Sequence, residues 1–220
     1  MSQVRKETVE CMHCHAEGQF DYWASVNVDL DPELREKVFN EELFLFHCPK
    51  CGKVPGMPAG TLYHDMKHEF MLFFEFFKPD DYKNEPIELP KEMGLKGNYT
   101  LRTVHGLNRL KEKIMILEQG LNDIAIERQK YMISHVILPE IAEKGCELYF
   151  DRVEEGDETF EYGKIFYTYI DREKGEQAQV RFAMDNYYEH CKACEIDPRM
   201  AVKNGMCVDE EWMNQIMKEE

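Results

Sequence analysis

The mostly polar Arg5–Glu10, and after it Gln19–Val28, where Phe20, Tyr22, Val26 and Val28 recur among polar residues, read as strands. The second stretch is rich in Phe, Tyr, Trp and Val. Two strands are therefore expected on either side of Cys11–Cys14. The pattern then turns helical at Pro32–Phe39, where Leu34 and Val38 share a face at i, i+4. Asp31 suits the N-cap, Pro32 the first helical position, and Glu33 the positive end of the dipole. Leu43–His47 is apolar and aromatic and runs into Cys48-Pro49-Lys50-Cys51-Gly52. After a turn rich in Pro and Gly (Pro55, Gly56, Pro58, Gly60), Thr61–Asp65 and Glu69–Phe77 predict a hairpin. Phe70–Phe77 is apolar at nearly every position, which predicts a strand buried on both faces. Glu69, Glu75, Lys78 and Pro79 flank or interrupt that run and limit its tendency to aggregate.

Prolines and glycines among charged residues (Pro79, Pro86, Pro90, Gly94, Gly97) predict a linker over 81–97. From about Thr103 the period becomes helical, with Leu107, Leu110, Ile114, Leu117 and Leu121 on one face. Gly120 interrupts it, Asn122 or Asp123 can cap a second helix, and Pro139 ends or bends that helix near Leu138. Cys146–Val153, Thr159–Ile170 and Gln177–Met184 then predict three strands joined by charged, Gly-containing loops, the pattern of a β-meander. Short helices near Asp185–Cys194 and Asp209–Lys218 close the chain. The expected fold class is α+β. A zinc-ribbon-like β domain with an inserted helix (1–80) precedes a domain of a helical hairpin and an antiparallel meander (98–220).

Composition narrows the function classes. Of 220 residues, 43% are hydrophobic and 32% charged, as in a globular protein, and the net charge is −16. The negative sign holds in both parts, −7 over residues 1–85 and −9 over 86–220. Phosphate-backbone binding needs the opposite balance, so nucleic acid is not an expected partner. No run of about 18 apolar residues predicts a membrane span, and the first ten residues carry no apolar signal segment. The expected compartment is the cytoplasm, where thiols stay reduced and paired cysteines point to metal or redox chemistry.

Eight cysteines include three Cys-x-x-Cys pairs, Cys11/Cys14, Cys48/Cys51 and Cys191/Cys194. Each such turn presents two thiolates from one tight loop, and two turns complete a tetrahedral zinc shell. Cys11, Cys14, Cys48 and Cys51 are the expected ligands of one structural Zn2+. The 33 residues between Cys14 and Cys48 exceed a usual ribbon spacing, and the helix at Pro32–Phe39 accounts for the insertion. A small ribbon buries little apolar area, and a structural zinc contributes on the order of 10 kcal/mol to its folding. Four thiolates also leave no open position for a water nucleophile, which argues against a zinc hydrolase.

This region resembles the bacterial CpXC domain family, named for paired Cys-Pro-x-Cys motifs. Cys48-Pro49-Lys50-Cys51-Gly52 carries the motif in full, with Asn27–Leu34 before it and Leu62-Tyr63-His64-Asp65 after it. Leu107-Asn108 through Gly120-Leu121-Asn122-Asp123 extends the similarity, which spans most of residues 5–140. The first motif departs from the pattern: Cys11-Met12-His13-Cys14-His15 lacks the proline, and His15 stands where glycine takes the turn geometry easily. The resemblance implies zinc binding and little more.

Other candidates have simpler explanations beside the chemical ones. His13, His15 and His47 adjoin the cysteines and could replace a thiolate, or be exposed groups that modulate them. Cys191/Cys194 could be a redox pair, yet it falls late in an expected helix, away from the N-terminal dipole that favours thiolate. Cys146, Cys191, Cys194 and Cys207 could form a second metal site, without a recognised spacing, or be reduced core thiols. His64, Asp65 and His68 could act in catalysis or form a polar hairpin tip. No Walker loop, dinucleotide fingerprint, nucleophile elbow or zincin motif occurs. The expectation is a non-catalytic binding or adaptor protein with an unidentified protein partner; the alternative is a thiol-based redox enzyme or sensor using Cys191/Cys194.

Overall fold

In a computed structural model, which describes residues 1–87, 97–171 and 175–218, the first two expected strands form a hairpin. Strands β1 (Gln3–Glu10) and β2 (Glu17–Asn27) run antiparallel, with Glu10 opposite Glu17 and Val4 opposite Trp23. The first Cys-x-x-Cys is the turn between them. β1 is exposed along most of its length and is an edge. Its Arg5, Lys6, Glu7 and Glu10 discourage pairing with a foreign strand.

The chain leaves β2 into helix α1 (Glu33–Phe39), which buries Leu34 and Val38 as their spacing requires. The expected capping by the Asp31 side chain is corrected: Pro32 is the N-cap residue, with no side-chain bond, and the Asp31 carbonyl accepts from the Leu34 N–H at 3.1 Å. A 3-10 turn at Glu42–Phe44 and the second Cys-x-x-Cys follow. β3 (Thr61–Asp65) then returns parallel to β2, with Val26 opposite Tyr63. β4 (Phe70–Glu75) closes the expected hairpin, antiparallel to β3.

The helical reading from Thr103 is corrected. Thr100–His105 is a strand, β5, parallel to β4 with Leu72 opposite Arg102. Leu101, Thr103 and His105 alternate with other buried residues, so period two and period 3.6 are indistinguishable over this short segment. The result is a five-stranded mixed sheet in the order β1-β2-β3-β4-β5. β4 lies inside it, which explains its continuous apolar run. Phe44 packs edge-on to Phe74 with ring centroids 5.5 Å apart, and Tyr63 stacks on Phe70.

Two compact units divide the chain: Met1–Lys111 with Asn204–Met206, and Glu112–Lys203 with Cys207–Glu220. The division falls within helix α2 (Leu107–Glu118). The expected linker 81–97 falls largely outside the described residues. In the first unit, Asn204–Met206 packs on β5: the Gly205 N–H donates to the Leu101 carbonyl at 2.9 Å and Thr103 Oγ1 to the Gly205 carbonyl at 2.7 Å.

In the second unit, the Asn122 side chain accepts from the Ile124 and Ala125 N–H groups and caps α3 (Asp123–Met132). A π-helical turn, Ile133–Ile137, continues α3, and α4 (Glu140–Glu143) starts just after Pro139. β6 (Tyr149–Glu154), β7 (Lys164–Asp171) and β8 (Glu176–Ala183) form the expected antiparallel meander. α5 (Met184–Ile196) begins one residue after β8; Ala183, not Asp185, is its N-cap. α6 (Glu210–Lys218) ends the described chain. The core joins Ile126 and Ile133 to Phe150, Ile165, Tyr167 and Tyr187, and a smaller cluster holds Met200, Val208, Trp212 and Met213. Among the described residues no helix is long and apolar enough to cross a membrane.

Candidate metal centre

Both amino-terminal Cys-x-x-Cys segments fold into the same turn. In the first, the Cys11 N–H donates to the Ala16 carbonyl at 2.9 Å and the His15 N–H to the Cys11 carbonyl at 2.9 Å. In the second, the Cys48 N–H donates to the Lys53 carbonyl at 3.0 Å and the Gly52 N–H to the Cys48 carbonyl at 3.1 Å. Each turn needs a left-handed residue just after its second cysteine. Gly52 takes φ +69° there without cost, and His15 takes φ +56° in the same place. The His15 side chain turns away, with Nδ1 at 2.6 Å from Glu10 Oε1.

The parallel return of β3 beside β2 leaves the connection between them to carry the second turn, and the two turns meet. Cys11 Sγ lies 3.8 Å from Cys51 Sγ, and Cys14 Sγ lies 3.7 Å from Cys48 Sγ. All four sulfurs fall within 4.8 Å of one another. A tetrahedral ion with Zn–S bonds of about 2.3 Å separates its sulfurs by about 3.8 Å. The donor set thus fits a four-coordinate soft cation. Among the described residues, this is the cluster of His, Cys, Asp and Glu side chains that could hold a metal ion. No histidine belongs to it, so His13, His15 and His47 are flanking groups.

Packing holds the turns in place. Cys11 and Cys48 are buried with Phe20 and Phe46, and Cys14, Tyr22, Met57 and Ala59 pack around them. A β-carbon on Gly18 would lie 2.7 Å from Phe46 Cζ and 2.9 Å from Pro49 Cδ. Glycine at 18 is therefore what lets the Cys-Pro-x-Cys turn seat on β2.

The thiols differ in acidity. The N–H of Cys51, and after it that of Lys50, points at Cys48 and lowers its pKa to about 6 against the pull of burial. Cys14 moves the other way, to about 11: the Ala16 N–H favours its thiolate, but burial and the three neighbouring thiols outweigh it. Four thiolates this close repel one another, and a dication is what allows all four to ionise.

The CpXC family model, described as CpXC protein, matches residues 9–130. The chain belongs to the CpXC family. No curated protein and no solved structure matches it. The matched CpXC segment includes both cysteine turns, all of β2 to β5, α2 and most of α3.

The other cysteines do not converge with these. Cys191 and Cys194 lie in the second half of α5, and burial pushes the Cys194 thiol up to about 11. Cys146 belongs to the larger core of the second unit, and Cys207 donates to Asp209 Oδ2 at 3.4 Å. His64 separates from Asp65 and His68. His64 lies 3.2 Å from the Tyr99 hydroxyl and 3.4 Å from Asn27 Nδ2. His68 gives both its N–H and its ring Nδ1 to Asp65, at 2.8 and 2.7 Å, the arrangement of a hairpin tip.

Sequence reasoning missed a buried ion network in the second unit. Lys130 Nζ donates to both oxygens of Glu112 at 2.9 and 3.1 Å and to Glu127 at 3.3 Å. Lys113 Nζ reaches Asp123 at 3.2 Å and the Val208 carbonyl at 2.8 Å. Glu112 also accepts the Phe150 N–H of β6 at 2.6 Å. All five charged residues are under 5% exposed. Burial raises the Glu127 pKa, against the pull of Lys130; for Lys130, burial is overcome by the Glu112 and Glu127 carboxylates, and its pKa rises. Asp123, Glu127 and Lys130 recur at i, i+4 and i+7, a spacing that a solvated helix face shares.

Proposed function

We propose that the protein binds one structural Zn2+ through Cys11, Cys14, Cys48 and Cys51 and acts as a non-catalytic binding or adaptor module. The observation that carries this reading is the match of the 3.7 and 3.8 Å sulfur separations to a tetrathiolate shell. Two equivalent turns, each presenting two sulfurs, support it. The ion would cross-link the β1–β2 hairpin to the loop that follows α1. Thiolates would fill its shell, so its contribution is rigidity, and a rigid sheet with fixed loops is a recognition scaffold.

Elemental analysis of protein purified reduced and without chelator tests the metal. One zinc per chain is expected, lost in the Cys48→Ser/Cys51→Ser variant; no zinc in the wild type would overturn the reading. The adaptor role is tested by quantitative cross-linking in cells. A partner joined to the wild type and not to the double variant is expected, and the absence of any specific cross-link argues against an adaptor.

A further inference from the structure

We propose that a cleft on the first unit binds a short peptide segment of a partner protein, one bulky apolar side chain flanked by residues of both charges. The inference rests on the adaptor reading and names its recognition surface.

The cleft encloses about 480 Å³, within the range of ligand sites, and lies between two walls. One wall is the β1–β2 hairpin, where Lys6 stands directly across from Asp21 and Trp23 follows Asp21 on the same face. The other runs from α1 through the chain leading to the second cysteine turn, and it brings Lys37, Glu42 and Leu45. Each wall thus supplies a cation, a carboxylate and an apolar surface. Among the described residues none of these four charged side chains is engaged in an ion pair.

Charge complementarity fixes the class of occupant. In a chain of net charge −16, Lys37 and Lys6, the latter facing Asp21 across the hairpin without closing an ion pair, lie beside an indole and attract a carboxylate-bearing segment. Asp21 and Glu42 in the same lining disfavour a polyanion and favour a segment that also carries a cation. Trp23 and Leu45 offer the apolar contact that anchors such a peptide, since aromatic residues in partly enclosed pockets dominate recognition. The second wall ends at His47, next to Cys48, so the cysteine centre holds that wall in register with β2.

The test is selection of random heptapeptides displayed on phage against the full, zinc-loaded protein, followed by calorimetry with the enriched peptides. Enrichment of an aromatic or leucine residue flanked by acidic and basic residues is expected. Binding should weaken at least tenfold in Trp23→Ala and in Lys37→Glu, and stay unchanged in Arg152→Glu on the second unit. Zinc content and circular dichroism check that each variant folds, and exposed Lys6→Glu gives a second charge reversal. Peptides that bind Trp23→Ala and both charge variants as well as wild type would overturn the cleft while leaving an adaptor role intact. Displacement of the peptides by free amino acids at equal concentration would assign the cleft to a small zwitterion and overturn the peptide. No enrichment on any surface would count against both.

Discussion

Replacing Lys130 by methionine should unravel the second unit, and more so at high pH. The ammonium makes three hydrogen bonds to two carboxylates that are themselves 2–3% exposed as side chains. Methionine fills similar volume and keeps helix propensity, so the loss is electrostatic. Removing one partner of a buried ion pair leaves the other charge uncompensated and costs about 3–5 kcal/mol. That is a large fraction of the roughly 5–15 kcal/mol that holds a domain folded. With the cation gone, burial and the neighbouring Glu112 raise the folded-state pKa of Glu127 further, and Lys113, 3.8 Å away, is the cation left to oppose them. Between the unfolded and folded pKa values of Glu127 the native state binds more protons, so stability falls as pH rises, by about 1.4 kcal/mol per pH unit. The deficit measured at pH 8 should therefore shrink to under about 2 kcal/mol at pH 5. The chain has two tryptophans, Trp23 in the first unit and Trp212 in the second. Urea titration of Trp212 fluorescence in a Trp23→Phe background isolates the second unit, which matters because two units need not unfold together. Adding Glu127→Leu to the variant should restore part of the loss; Glu112 is kept because it also accepts the Phe150 N–H. A deficit below about 1 kcal/mol at pH 8, or one equal at pH 5 and pH 8, would refute the argument.

Chelation of reduced protein should loosen the first unit alone, shifting Trp23 emission to the red while Trp212 in a Trp23→Phe background stays unchanged. His15→Gly should stabilise the metal-bound form by about 0.5–1 kcal/mol, because glycine takes φ +56° freely and the exposed bond to Glu10 contributes little; a thermal melt that shows a decrease contradicts the shared turn geometry. Gly18→Ala should cost about 1–3 kcal/mol and speed zinc release to a chromogenic chelator, since its methyl group would press on Phe46 and Pro49; unchanged release kinetics would mean that this packing does not hold the turn.

The sequence by itself determined the local pieces. Strand-forming runs between turn residues placed β1, β2 and the meander, with clean alternation in β8, the i, i+4 pair Leu34 and Val38 placed α1, and Asn122 caps α3. The continuous apolar run at Phe70–Phe77 announced an interior strand. The spacing of the first four cysteines singled out the residues that cluster, because two tight turns have few ways to present four thiols. Tertiary structure decided what local pattern cannot encode. The parallel pairings of β2 with β3 and of β4 with β5 join residues far apart in sequence, and no periodicity reports them. The helical pattern expected from about Thr103 overlaps the end of β5 for that reason: Thr100–His105 is strand because β4 offers it an edge. The pairing of Cys11 with Cys51 and of Cys14 with Cys48, the cleft beside Trp23, and the burial of Glu112, Lys113, Asp123, Glu127 and Lys130 have the same origin. A lysine on a helix reads as solvated until another element covers it, and only the folded chain shows which faces are covered.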